Sequence, residues 1–150
     1  MSQIQQILVD ASVLIALINQ QDQFHEIAQK WIKKIHQINT EQMLFQLVLL
    51  SPTAIEVNTK IRKLKKNNKF TPAKSFEASG QMNYPIDQNF LNKVQELEIY
   101  DEFLEKLGSQ DAVYAAVAFI EQIPLVTLDA DFRKVSDKIK IECLLPPAQF

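Results

Sequence analysis

Five acids stand where this chain would build chemistry: Asp10, Glu56, Asp111, Asp129 and Asp131. Asp10 interrupts an apolar stretch running from Ile7 to Ile18, and Asp129 and Asp131 close the run Leu125-Val126-Thr127-Leu128. Asp111 falls in the first turn of one helix-like segment and Glu56 in the second turn of another. Three or four carboxylates brought together would repel one another, and partial burial would raise their pKa values unless a cation compensates. Hard oxygen ligands without His or Cys select Mg²⁺ or Mn²⁺. Such an ion, kept partly hydrated, can orient a water and stabilise phosphoryl charge in an in-line displacement.

Each acid also has a structural explanation when taken alone. Asp111 is a first-turn acid favoured by the helix dipole, and Asp129 or Asp131 can cap a following helix. Glu56 can pair with Lys60 at i,i+4. Asp10 is the hardest to explain this way, because it breaks an otherwise apolar run. His25 reads as a surface or capping histidine, since no second ligand lies one turn away.

What matters is whether the chain brings these acids together. Ile4 to Val9 reads as a buried strand, followed by a turn at Asp10 and a short helix that Ser12 would cap. Asp22 is the expected cap of an amphipathic helix whose apolar stripe is Phe24, Ile27, Ala28, Trp31, Ile35 and Ile38. Met43 to Leu50 is a second strand, too apolar to have a solvated face. Ser51 as cap and Pro52 at the first helical position then start a helix with Val57, Ile61 and Leu64 inward. That helix is expected to carry Lys60, Arg62, Lys63, Lys65, Lys66 and Lys69, the one basic concentration in the chain. It reads either as a solvated face or as a phosphate-contacting strip, for which Lys60, Arg62, Lys63 and Lys66 are the candidates.

Thr71-Pro72 predicts a helix-like piece to about Gly80, and Gln81 to Ile86 a short strand. Asp87 caps a predicted helix with Phe90, Leu91, Val94, Leu97 and Leu104 inward. Ser109 is the expected cap of a thin, alanine-rich helix with Val113, Ala116, Val117 and Ile120 in the core. Leu125 to Asp129 is a strand, a turn of helix starts at Asp131, and Ile139 to Leu145 is a last strand. Strands alternating with helices predict a parallel sheet covered on both faces. Right-handed winding then puts every strand's carboxyl end on one edge, together with Asp10, Asp129 and the starts of the helices carrying Glu56 and Asp111.

Composition limits the alternatives. At 150 residues the chain is expected to form one domain over residues 1–150. Only 2 Gly argue against a glycine-rich phosphate loop, and the single Cys143 excludes an intrachain disulfide framework or a cysteine zinc site. A net charge of −2 means that a nucleic-acid partner must be held by a local patch. Met1-Ser2-Gln3 leads into a strand-like run with no secretory signal, and no apolar stretch approaches the roughly 20 residues that span a bilayer. A cytoplasmic location and no membrane partner are the expectations.

The blocks carrying these acids resemble the PIN domain family. Val9-Asp10-Ala11-Ser12 is similar to its opening, and Ser51-Pro52-Thr53-Ala54-Ile55-Glu56-Val57 to its second block. Ser109-Gln110-Asp111-Ala112-Val113-Tyr114-Ala115-Ala116-Val117-Ala118 and Leu125-Val126-Thr127-Leu128-Asp129-Ala130-Asp131-Phe132 resemble the later blocks. Asp22-Gln23-Phe24-His25-Glu26-Ile27-Ala28 is similar to a segment of the VapC-like branch. The resemblance implies a three-layer α/β/α sandwich on a mostly parallel sheet, and Mg²⁺- or Mn²⁺-dependent hydrolysis of single-stranded RNA to a 5′-phosphate and a 3′-hydroxyl. It implies a metal pocket of Asp10, Asp111 and Asp129 with Glu56 completing or tuning it, and Ser12 and Thr127 ordering it. It also implies a toxin held by a small antitoxin, and a possible homodimer. Asp131 is expected as a cap before it is expected as a ligand.

Two other functions fit parts of the pattern. One is a PIN-like binding module with weak or no cleavage, whose work is to hold a protein partner. The other is a phospho-acceptor or phosphatase domain, which also uses an acid after its first strand; Asp10-Ala11-Ser12 lacks the second Asp of a DxD phosphatase.

Overall fold

In the computed structural model, which describes residues 3–38, 43–73 and 81–145, the chain begins at the middle of its sheet. β1 (Gln3–Val9) is followed by α1 (Ala11–Ile18) and α2 (His25–Ile38), which return the chain to β2 (Met43–Leu50). Helix α3 (Ser51–Lys66) precedes β3 (Gln81–Tyr84). Helices α4 (Gln88–Gln95), α5 (Tyr100–Leu107) and α6 (Ser109–Glu121) then carry the chain across to β4 (Leu125–Thr127). A 3₁₀ turn (Ala130–Val135) leads to β5 (Ile141–Cys143). The strand order is β3-β2-β1-β4-β5, and every pairing is parallel.

This order reverses direction between β1 and β4, so the crevice outside their carboxyl ends is a topological switch point, where open α/β sheets bind ligands. The fold is a three-layer α/β/α sandwich. Successive strand residues point to opposite faces, and here both faces are covered. Ile7, Val9, Leu47 and Val126 pack with Val13, Ala16 and Leu17 of α1 and Ala28, Trp31 and Ile35 of α2. Leu8, Val48, Leu50 and Leu125 pack on the other side with Phe90, Phe103, Val117 and the alanines of α6. A sheet buried on both sides needs continuous apolar strands, which explains the unbroken run from Leu47 to Leu50.

Several expected caps are corrected. Asp10, not Ser12, is the N-cap of α1. Ser51 is the first residue of α3 rather than its cap; its hydroxyl accepts the Ile86 amide at 3.1 Å, tying α3 to the segment after β3. Gly108, not Ser109, precedes α6, because the chain turns there at φ +85°, a conformation open to glycine and costly for serine. Asp22 accepts the Phe24 amide at 2.8 Å and so organises the turn before α2, which begins at His25. His25 itself donates from Nδ1 to the Ala16 carbonyl at 2.6 Å, a structural role joining α2 to α1.

The helix expected after Asp87 is two helices. A turn over residues 96–99 rotates the second piece so that Phe103 is fully buried, while Leu91 and Leu104, expected inward, are exposed. Thr71-Pro72 does not start a helix: Pro72 bridges to Asn19, and the Thr71 amide donates to the Asn19 side chain at 3.1 Å. The rest of that expected helix lies outside the described residues. Among the described residues no helix is long and apolar enough to cross a membrane.

Candidate active site

Asp10 is held from three sides at the end of β1. As the cap of α1, its Oδ1 accepts the Val13 amide at 3.2 Å and the Ser12 hydroxyl at 2.6 Å. Its Oδ2 accepts the Thr127 hydroxyl from the end of β4. Strand register makes this meeting inevitable: Val9 pairs with Val126, so the next residues along, Asp10 and Thr127, are neighbours. Thr127 Oγ1 also accepts the Asp129 amide at 2.9 Å. Burial raises the Asp10 pKa, the three hydrogen bonds oppose that rise, and the Asp129 charge adds to it.

Asp129 caps the 3₁₀ turn by accepting the Asp131 amide at 2.9 Å. The capping role expected of Asp131 therefore belongs to Asp129. Asp131 sits exposed on that turn, with Lys134 3.5 Å from its Oδ1.

Glu56 and Asp111 arrive from α3 and α6. The Asp111 carboxyl is pushed up to about 6, first by burial and then by the charges of Asp129, Asp10, Asp131 and Glu56. Glu56 is raised by burial and then by Asp10. These acids, scattered through the chain, thus share one field at the carboxyl edge of the sheet. Among the described residues no Lys or Arg forms an ion pair with Asp10, Glu56, Asp111 or Asp129.

The donor chemistry fits a hard divalent cation: carboxylate oxygens, partial burial and uncompensated negative charge. Among the described residues no group of three His, Cys, Asp or Glu side chains is gathered so as to hold one ion.

Two residues that the sequence does not single out join these elements. Thr53 Oγ1 of α3 and the Tyr114 hydroxyl of α6 are hydrogen-bonded at 2.6 Å, both buried. The Ala11 backbone amide lies beside the same hydroxyl and opposes the rise that burial imposes on its pKa. A sequence signal did exist: Thr53 lies three residues before Glu56, and Tyr114 three after Asp111, each on its acid's helical face.

The basic residues divide. Lys60 and Lys63 follow Glu56 at i+4 and i+7 on one face of α3, whereas Arg62 and Lys66 are rotated off that line. Lys60 lines a groove of about 450 Å³ with Ser12, Phe24, Leu128 and Asp129.

Residues 7–138, a span that includes all five acids, match the PIN domain family. The chain belongs to the PIN domain family. Among solved structures it is similar to VapBC2 from Rickettsia felis, bound to a DNA fragment from their promoter. That match has 14% identity and a TM-score of 0.57, covering 93% of this chain and 98% of that one. At such identity the likeness is one of fold. No match was found among curated proteins. In this PIN domain the acids at the end of β1, on the two helices and on the Asp129 turn lie within electrostatic reach of one another at the β1/β4 switch point.

Proposed function

We propose that this PIN domain is a divalent-metal-dependent endoribonuclease that hydrolyses single-stranded RNA in the cytoplasm, as the toxin of a toxin–antitoxin pair. The observation that carries this reading is Asp111, a half-buried carboxyl pushed up to about 6 by burial and by four other acids. Perturbed acids clustered in a crevice mark functional sites, and charge of this kind calls for a cation.

Asp10, Asp111 and Asp129 would hold Mg²⁺ or Mn²⁺, with Glu56 completing the pocket. When bound, the ion would supply positive charge at the scissile phosphate and a water of lowered pKa. Ser12 and Thr127 hold the two oxygens of Asp10 and so fix its carboxylate in one orientation. Glu56, raised by burial, is suited to take up a proton as the attacking water reacts. Asp131 stays at the rim. Lys60 and Lys63 carry the RNA backbone toward the acids, and Arg62 and Lys66 flank it.

An antitoxin is the proposed protein partner. Ile55, next to Glu56, is 70% exposed on α3, and Leu14, Ile18, Leu49, Ala54 and Val57 line an apolar groove of about 320 Å³ nearby. The VapBC2 likeness supports this partner by analogy of fold, and a homodimer through the same apolar surface is its competitor.

The test is cleavage of single-stranded RNA with Mg²⁺ or Mn²⁺, with EDTA, and with Asp111→Asn. Metal-dependent cleavage lost in the variant supports the assignment, and undiminished cleavage by the variant refutes it. One other reading is a binding module with a degenerate pocket, since among the described residues no three acids are gathered as a ligand group. Absence of saturable Mn²⁺ binding would decide for that module.

A further inference from the structure

Helix α6 is thin where it meets the sheet, with Ala112, Ala115, Ala116 and Ala118 all buried. Tyr114 is the large side chain in this alanine face, 4% exposed, and its hydroxyl meets Thr53, which is 0% exposed. Packing alone would be served by Phe and Val at these positions. Buried hydroxyls add a requirement for each other, because a dry polar group is costly to leave unpaired. Their bond is therefore a spacing constraint between α3 and α6.

The position of that constraint gives it a consequence. Thr53 is one turn from Glu56, Tyr114 one turn from Asp111, and Ala11, whose backbone amide lies beside the Tyr114 hydroxyl, adjoins Asp10. One node thus touches the three elements that deliver Asp10, Glu56 and Asp111. We propose that the Thr53–Tyr114 hydroxyl pair is a positioning element that holds α3, α6 and the start of α1 at the separation the acidic crevice needs to bind its ion and act. This rests on the nuclease reading above. Both residues act through the acids and touch neither substrate nor ion. Small displacements are costly at such a site, where a misplacement of about 1 Å can lower turnover on the order of a hundredfold.

The experiment compares wild type, Tyr114→Phe, Thr53→Val, Thr53→Ser and the double variant Tyr114→Phe/Thr53→Val. For each, kcat and KM on single-stranded RNA, Mn²⁺ affinity by titration, and Tm are measured. Expected for Tyr114→Phe and Thr53→Val are a loss of about tenfold in kcat, weaker Mn²⁺ binding, and an unchanged KM. Thr53→Ser, which keeps a hydroxyl, should restore both quantities. The double variant should be no worse than either single one, since both remove the same bond. A lowered Tm with kcat and Mn²⁺ affinity within twofold of wild type would reduce the pair to a structural contact and overturn the proposal. A wild-type chain that neither binds Mn²⁺ nor cleaves RNA overturns the nuclease reading as well. The two failures differ in whether wild type exceeds Asp111→Asn.

Discussion

Thr127 donates its hydroxyl to Asp10 across the seam between β4 and β1, joining residues 117 apart in the chain. The same oxygen receives the Asp129 amide. One threonine, 0% exposed, therefore sets the orientation of two candidate metal ligands on neighbouring elements. Thr127→Val keeps the shape but removes a donor to Asp10 and an acceptor for Asp129. We expect a stability loss of about 1–3 kcal/mol by urea melts, together with a large loss of RNA cleavage. Thr127→Ser should recover most of both, and a Val variant as active as wild type would contradict this role.

Asp111→Asn should separate stability from activity. Because the folded-state pKa is raised from 3.8 to about 6, the folded chain binds more protons than the unfolded one between those values. This group's contribution is fully present below pH 4 and is lost as pH rises through about 6. Removing the charge should therefore raise Tm by a few °C at pH 7.5, on the order expected for a domain of this size, and add little at pH 4. Melting both proteins across that range without metal checks the sign, while cleavage by the variant should fall at least about a hundredfold.

Bound metal should show the same linkage from the other side. Protons and Mn²⁺ compete for these carboxylates, so Mn²⁺ should raise Tm clearly at pH 7.5 and little at pH 5. Asp10 and Glu56, both shifted upward by burial, act in the same direction as Asp111. Equal stabilisation at the two pH values would locate the ion elsewhere.

The basic face of α3 should act unevenly. Lys60→Gln, in line with Glu56 and lining the groove beside Asp129, should raise KM for RNA and reduce the salt dependence of binding by roughly one phosphate contact. Arg62→Gln, rotated off that line, should do less. Binding measured from low to moderate salt distinguishes them, and equal effects would mean a diffuse field instead of a track.

Much of this architecture was legible because apolar runs and their interruptions are local signals. The strand ending at Asp10, the strand before Ser51 and the alanine-rich helix after Gly108 all lie where their periodicity puts them. Helix caps were less legible. Ser12, Ser51 and Ser109 each have the chemistry of a cap, yet Asp10, Leu50 and Gly108 occupy those positions. The Ser12 hydroxyl donates instead to its local neighbour Asp10, and the Ser51 hydroxyl is drawn to the Ile86 amide, a partner that the fold brings near. The break between α4 and α5 was hidden for a similar reason: Leu104 suits an inward stripe, but burial of Phe103 sets the helix rotation.

What the sequence determined by itself was the alternation of strands and helices, hence a parallel sheet with its acids delivered to one edge, because right-handed crossovers allow little else. Tertiary structure decided how those acids are held. Strand register placed Thr127 beside Asp10, and helix packing set the Tyr114 hydroxyl against Thr53. It also decided that Asp111 would carry the repulsion of four other acids on top of its partial burial. Distances between side chains remote in sequence are set by packing, and the strength of a carboxylate depends on those distances and on the water they exclude.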